Sequence, residues 1–145
     1  MNRGLCLLNH RLTEQQKAEL ESEFSVSRIL LPPAGIQACW ASIPTEKLLQ
    51  PSMLDPFIDW IDDTSAVGDY LVIQGEFGST VYMVGYAFSK GLVPLHSVTK
   101  RVAHEYREGE IVYRTYIFRH ICFRKYLHYR ADKEGMYGHD LHRIE

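Results

Sequence analysis

"YLVIQGEFGSTVYMVGYAFSKG", Tyr70–Gly91, joins a short apolar run to a segment of helical periodicity through a turn carrying two glycines. "DYLVIQ", Asp69–Gln74, is too short for a helix and apolar on both faces, which predicts a strand buried in a parallel sheet. Beyond the turn, Val81, Val84, Gly85 and Phe88 recur at helical spacing with Tyr82 and Tyr86 on an adjacent face, and Gly91 supplies a C-cap. A strand, a Gly-rich turn and a helix in that order form a ready anion site, because the first N–H groups of a helix lack partners within it. The loop Gln74-Gly75-Glu76-Phe77-Gly78 is neither a Walker A sequence nor the three-glycine dinucleotide fingerprint, so its ligand must be argued from its neighbours.

Upstream, "GLCLLNH", Gly4–His10, is a continuous apolar run with a polar end, the pattern of a first buried strand. Thr13 and Gln16 stand at capping-box spacing before "EQQKAELESEF", which predicts a helix start. "SRILLPP" reads as a second strand ended by Pro32 and Pro33, since proline has no ladder donor. From Ala34 to Asp63 the pattern is helical but broken at Pro44, Pro51 and Pro56, and Phe57, Ile58, Trp60 and Ile61 give its last piece an apolar face. Downstream, "LVPLHSVTKR" supplies a fourth strand. Alternating strands and helices predict a mostly parallel sheet with helices on both faces. "RVAHEYREGEIVYRTYIF" then alternates apolar and polar residues about Arg107-Glu108-Gly109-Glu110, an antiparallel hairpin with a short turn. The last segment, "HICFRKYLHYRADKEGMYGHDLHRIE", reads as a strand at its start and a helix or ordered tail at its end.

The chain has 145 residues, 46% of them hydrophobic, which suits one α/β domain over residues 1–145 with a real core. No apolar run approaches a signal-peptide core or a membrane span, so a soluble cytoplasmic protein is expected. Cys6, Cys39 and Cys122 are odd in number and far apart, and are expected to be core thiols rather than a disulfide framework or a zinc site. The net charge of −2 argues against a binder of long nucleic acid. The basic residues nonetheless concentrate from Lys100 onward, leaving room for a local anion site.

In an open parallel sheet, ligands bind outside the carboxyl ends of the strands, near the point where strand order reverses. That rule selects Asn9 and His10 after the first strand, Gln74 to Gly78 after the third, and Ser97, Thr99, Lys100 and Arg101 after the fourth. Together they offer amides, imidazole, hydroxyls, helix N–H donors and two cations, an inventory for a phosphodiester. In "FRHICFRKY", His120 and Arg124 interleave with aromatic side chains, which suits base stacking and phosphate contact. His139 and His142 have no third partner, and no metal or other cofactor is expected. Protease, NTPase and nucleophile-elbow templates find no match.

"LLNHRLTEQQ", "DYLVIQGEFGSTVYMVGYAFSKGLVPLHSVTKR" and "FRHICFRKY" resemble, in this order and spacing, the small CRISPR-associated proteins of the Csx-twenty family. The resemblance runs from about Leu5 to Tyr126 and leaves a C-terminal extension from about residue 127. It implies a Rossmann-like (CARF-like) domain of type III CRISPR defence that binds a cyclic oligoadenylate, most simply cyclic tetraadenylate. It further implies a ring nuclease that linearises this messenger without metal, acting as a homodimer that presents its crevice twice. On that reading Lys100 and Arg101 stabilise phosphate and transition-state charge, and the Gly75–Gly78 backbone, with Glu76 and Phe77, binds the ring. Gln74, Ser97 and Thr99 hydrogen-bond ribose or phosphate, His10 is the first candidate base and His120 the second. A non-catalytic sensor of the same messenger that regulates a partner is the alternative, and a flavodoxin-like mononucleotide or flavin binder is a third reading.

Overall fold

The computed structural model describes residues 2–131. Its elements alternate as expected: β1 (Asn2–Leu7), α1 (Glu14–Glu23), β2 (Val26–Leu30), α2 (Ala34–Ala41), a 3-10 turn at Pro51–Leu54, α3 (Asp55–Thr64), β3 (Tyr70–Ile73), α4 (Phe77–Ser89), β4 (Val93–Glu108) and β5 (Ile111–Lys125). They build one five-stranded sheet in the order β2-β1-β3-β4-β5. The first four strands are mutually parallel and β5 runs antiparallel to β4. Strand order therefore reverses between β1 and β3.

Side-chain alternation along the central strands divides the core in two. Leu5, Leu7, Leu71 and Ile73 point to the face covered by Trp40 of α2, by Phe57, Trp60 and Ile61 of α3, and by Met83 and Ala87 of α4. Cys6, Leu8, Val72, Leu95 and Phe123 point to the other face, where Leu20 of α1 packs. Helices thus lie on both faces. Three of them share one side, while α1 alone shields the other.

Local chemistry explains where the elements start and stop. Thr13 Oγ1 accepts from the Gln16 N–H at 3.1 Å and Gln16 Oε1 accepts from the Thr13 N–H at 3.0 Å, the reciprocal box expected from the sequence. α4 ends at Gly91, whose φ of +72° disfavours any side chain. There the Leu92 N–H reaches the Ala87 carbonyl and the Gly91 N–H the Phe88 carbonyl, closing a Schellman motif. At the amino edge of the sheet, buried Asp69 accepts from the N–H groups of Arg3 and Ala66 and from the Arg3 guanidinium. That carboxylate is fully used in holding β1 to the β3 entry.

Several sequence expectations are corrected. The first strand ends at Leu7, so Leu8, Asn9 and His10 belong to the turn beyond it. The face that α4 buries is Ser79, Met83 and Ala87, whereas Val81 and Gly85 are exposed. α4 is apolar nearly all round, so its spacing alone does not select a face; the sheet takes the row whose small and flexible side chains allow close approach. Cys6 is buried, and burial pushes its thiol up to about 12, but Cys39 is exposed and Cys122 half-buried. The fourth strand and the hairpin are continuous: β4 runs unbroken through Thr99-Lys100-Arg101, paired with β5 down to a turn at Gly109-Glu110. The helix or ordered tail expected after residue 131, with His139 and His142, lies outside the described residues.

Candidate functional site

The carboxyl ends of β1 and β3 open into a cleft of about 560 Å³ lined by Asn9, Trp40, Ser42, Thr45, Gly75 and Glu76. This is where strand order reverses, so the topological rule and the cavity select the same place. Its inner wall is built by Trp40, which is buried and donates from Nε1 to the Gln74 carbonyl at 3.0 Å. A Cβ on Gly75 would meet the Trp40 ring at 2.8 Å. The first glycine of the loop therefore lets the indole approach the backbone. Gln37 Nε2 donates to the Leu8 carbonyl and fixes the opposite lip.

The second glycine does different work. Glu76 is the N-cap of α4, and its carboxylate accepts from the Gly78 N–H at 2.9 Å and from the Ser79 N–H and hydroxyl, each at 2.8 Å. Those bonds, the Gly78 N–H first, hold its carboxyl below the usual carboxylate range. The donors that a phosphate would use at this helix end are already taken by the protein's own anion. A carboxylate with a lowered folded-state pKa contributes its stability above the unfolded value and loses it as pH falls through the folded value. Glu76→Ala is accordingly expected to lower the thermal midpoint by a few degrees at neutral pH, with the difference shrinking as the carboxylate protonates in acid. Melting curves followed by circular dichroism across pH check this; a difference that persists unchanged in acid would remove the charge from the explanation. Phe77, next along, is 89% exposed.

On the other face of the sheet, a second polar cluster sits where β4 and β5 pass the end of β3. Ser97 donates its N–H to Gln74 Oε1 at 2.8 Å, so Gln74 braces the cleft wall with its carbonyl and β4 with its side chain. Ser97 Oγ lies 2.5 Å from His120 Nδ1, and His120 Nε2 lies 2.6 Å from Glu19 Oε1. Glu19 Oε2 accepts from the Phe123 N–H at 2.7 Å. The carboxylate can only accept, which assigns the neutral ring's proton to Nε2 and makes Nδ1 the acceptor for the Ser97 hydroxyl. The result is a buried relay of hydroxyl, imidazole and carboxylate. Its neighbouring groove between α1 and β5 carries Glu19 and Glu23, an acidic lining unsuited to a polyanion.

The candidates from the sequence are thus distributed over this edge. Asn9, Gly75 and Glu76 line the cleft, Gln74 links it to the relay, and Ser97 and His120 form the relay. His10 is exposed and its Nδ1 is turned to the Arg11 carbonyl at 2.8 Å. Gly78 backs onto Leu49, and Thr99 is exposed beside His120 in the ladder. Lys100 and Arg101 are successive residues of a strand and leave on opposite faces, so one crevice does not receive both. Arg101 shares the Ser97 face and places its guanidinium 3.8 Å over the Tyr116 ring. Arg124 pairs with His96 in register; burial, and then the Arg124 charge, lower the pKa of His96.

Glu19 and Trp40 were not singled out by the sequence. Glu19 stands three residues after the buried Gln16, a spacing that sets both on one side of α1, which is the signal that it faces inward. Trp40 has no comparable signal in the sequence, because only the fold brings α2 against Gly75. Among the described residues no group of His, Cys, Asp and Glu is arranged to hold a metal ion, and no helix is long and apolar enough to cross a membrane.

The fold and this edge define an α/β domain with an open, mostly parallel sheet and a polar carboxyl edge. The chain belongs to the Uncharacterized protein MJ1673 family, whose model matches residues 2–124. It is similar to the "Uncharacterized protein MJ1673" of Methanocaldococcus jannaschii, 33% identical over 127 residues that cover 87% of this chain and 98% of the relative. The matched region contains the cleft, the relay and both strands of the hairpin. No solved structure matches the chain.

Proposed function

We propose that the chain is a Rossmann-like (CARF-like) domain that binds a cyclic oligoadenylate at the carboxyl edge of its sheet and opens the ring without metal, as a cytoplasmic ring nuclease of type III CRISPR defence. The observation that carries this reading is the hydrogen-bonded path from the switch-point cleft through Gln74 to Ser97, His120 and Glu19. On this reading the cleft's amide and hydroxyl groups, from Asn9, Ser42 and Thr45, hold ribose and phosphate, and the relay on the opposite face of the sheet, tied to the cleft through Gln74, is the proton acceptor. Exposed Phe77 offers a face on which an adenine can stack. Arg101, on the Ser97 face, is the cation for the reacting phosphate.

The chemistry needs few groups. A ribose 2′-oxygen forms a bond to the adjacent phosphorus, the bond from phosphorus to the 5′-oxygen breaks, and the products are a 2′,3′-cyclic phosphate and a 5′-hydroxyl. Ser97 takes the 2′ proton as it passes its own to His120 Nδ1, Glu19 stabilises the imidazolium, and the departing 5′-oxygen is protonated from water. A two-fold dimer would present this edge twice to a ring of matching symmetry. The sensor alternative has its own support: both ring nitrogens of His120 are engaged and Glu76 fills the α4 N-terminus, as in a site that binds without turnover.

Incubation with cyclic tetra- and hexaadenylate in excess chelator, with products separated by mass, decides between them. Linear product ending in a cyclic phosphate is the expected result. Tight binding of an intact ring would leave the sensor, and neither binding nor cleavage would remove the ligand from this edge.

A further inference from the structure

Beyond Ser97 the β4–β5 ribbon leaves the body of the protein. Thr99–Glu108 pairs with Ile111–His120, and every residue from Thr99 to Arg119 is exposed except Val102 and Tyr113, which are half-buried. A two-stranded ribbon with nothing packed on it is marginal in water, so this arm needs a cover.

Its two faces differ. The Ser97 face carries exposed Phe118, Tyr116 and Val112, with Arg101 lying over Tyr116 and Glu105 paired with Arg114 at 3.5 Å among them. The opposite face carries Val102 beside Ile117, Tyr106 stacked on Tyr113 with centroids 5.0 Å apart, and Ile111 near the tip. Tyr106, Ile111 and Ile117 are 46%, 56% and 57% exposed. Lys100 and Arg119 pair at the root of this face, while Glu108 and Glu110 stand at its tip. The face is basic at one end and acidic at the other, with two apolar pairs between them flanking His104 and Thr115.

We propose that this face packs against the same face of a second copy of the chain, with the two arms antiparallel about a two-fold axis. That orientation sets the root cations of each arm against the tip carboxylates of the other and stacks the apolar pairs. A parallel arrangement would set like charges together. At ~3.4 Å per residue the arm is about 34 Å long, so antiparallel packing sets the root of each arm against the tip of the other along its whole length. The inference shares the dimer of the proposed function but not its ligand. It also assigns Lys100 to the interface, on the face away from the relay.

Light scattering on the ligand-free full chain across a concentration series tests it. The expected mass is that of two chains, falling to one in Ile117→Lys at unchanged circular dichroism. Lys100→Glu with Arg119→Glu is expected to give monomers, and adding Glu108→Lys and Glu110→Lys is expected to restore the dimer by reversing both ends. A monomeric wild type, a dimer indifferent to Ile117→Lys, or a fourfold variant that stays monomeric would overturn the proposal. Failure of ring cleavage would leave these masses unaffected, so the two readings fail separately.

Discussion

His120→Ala is expected to slow metal-free opening of cyclic tetraadenylate by about 10²- to 10⁴-fold, the usual contribution of a positioned acid–base group. Messenger affinity is expected to change much less, because in the proposed site the ring is held by the cleft residues and not by the imidazole. The reason lies in the direction of the relay. Ser97 Oγ and Glu19 Oε1 lie 2.5 and 2.6 Å from opposite nitrogens of one ring, so a proton entering at the hydroxyl has a defined acceptor and a carboxylate behind it. Glu19→Gln, which keeps an oxygen for Nε2 but removes the charge, is expected to slow the reaction less than loss of the ring does. Single-turnover rates and binding isotherms measured on the same preparations separate chemistry from affinity. A rate unchanged in His120→Ala, with a lowered melting point, would make the cluster a structural tie between α1 and β5 and would take the base out of the mechanism.

Trp40→Ala is expected to cost about 3–5 kcal/mol of stability, the range for removing a large buried aromatic. Trp40 is 1% exposed, meets Phe57 edge to face at 5.1 Å and bonds the Gln74 carbonyl, so its loss opens a cavity and frees an acceptor together. Gly75→Ala attacks the same contact from the other side. The added Cβ would lie 2.8 Å from an indole that packs edge to face on Phe57, and overpacking of this kind costs about 1–3 kcal/mol. Urea unfolding followed by circular dichroism measures both. The two substitutions act on one contact, so the double variant is expected to lose less than the sum of the singles. Strict additivity would show that Gly75 serves the loop and not the indole.

Much of the frame is legible in the residues because it rests on local rules. Thr13 and Gln16 cap a helix, Gly91 ends one, Pro56 opens one, and the apolar runs around Leu5 and Leu71 find places in a parallel sheet. Where one residue type satisfies two environments, the chain alone is ambiguous. Val81 and Met83 are equally apolar, and only the sheet selects Met83 for burial. Lys100 and Arg101 look like a pair in sequence, yet a continuous strand sends them to opposite faces. Gly75 and Gly78 look like one phosphate loop, but one receives an indole and the other donates to a carboxylate on its own helix.

The sequence by itself determined the order of strands and helices, the capping box at Thr13 and Gln16, the glycine that closes α4 and the hairpin turn. These follow from hydrogen bonds and side-chain periods spanning a few residues. Only the tertiary structure decided that Glu19, Ser97 and His120 form one relay, that Trp40 walls the cleft, and that the hairpin extends from the body as an exposed arm. Each of those joins residues far apart in the chain, and such pairings depend on how the layers pack rather than on any local preference.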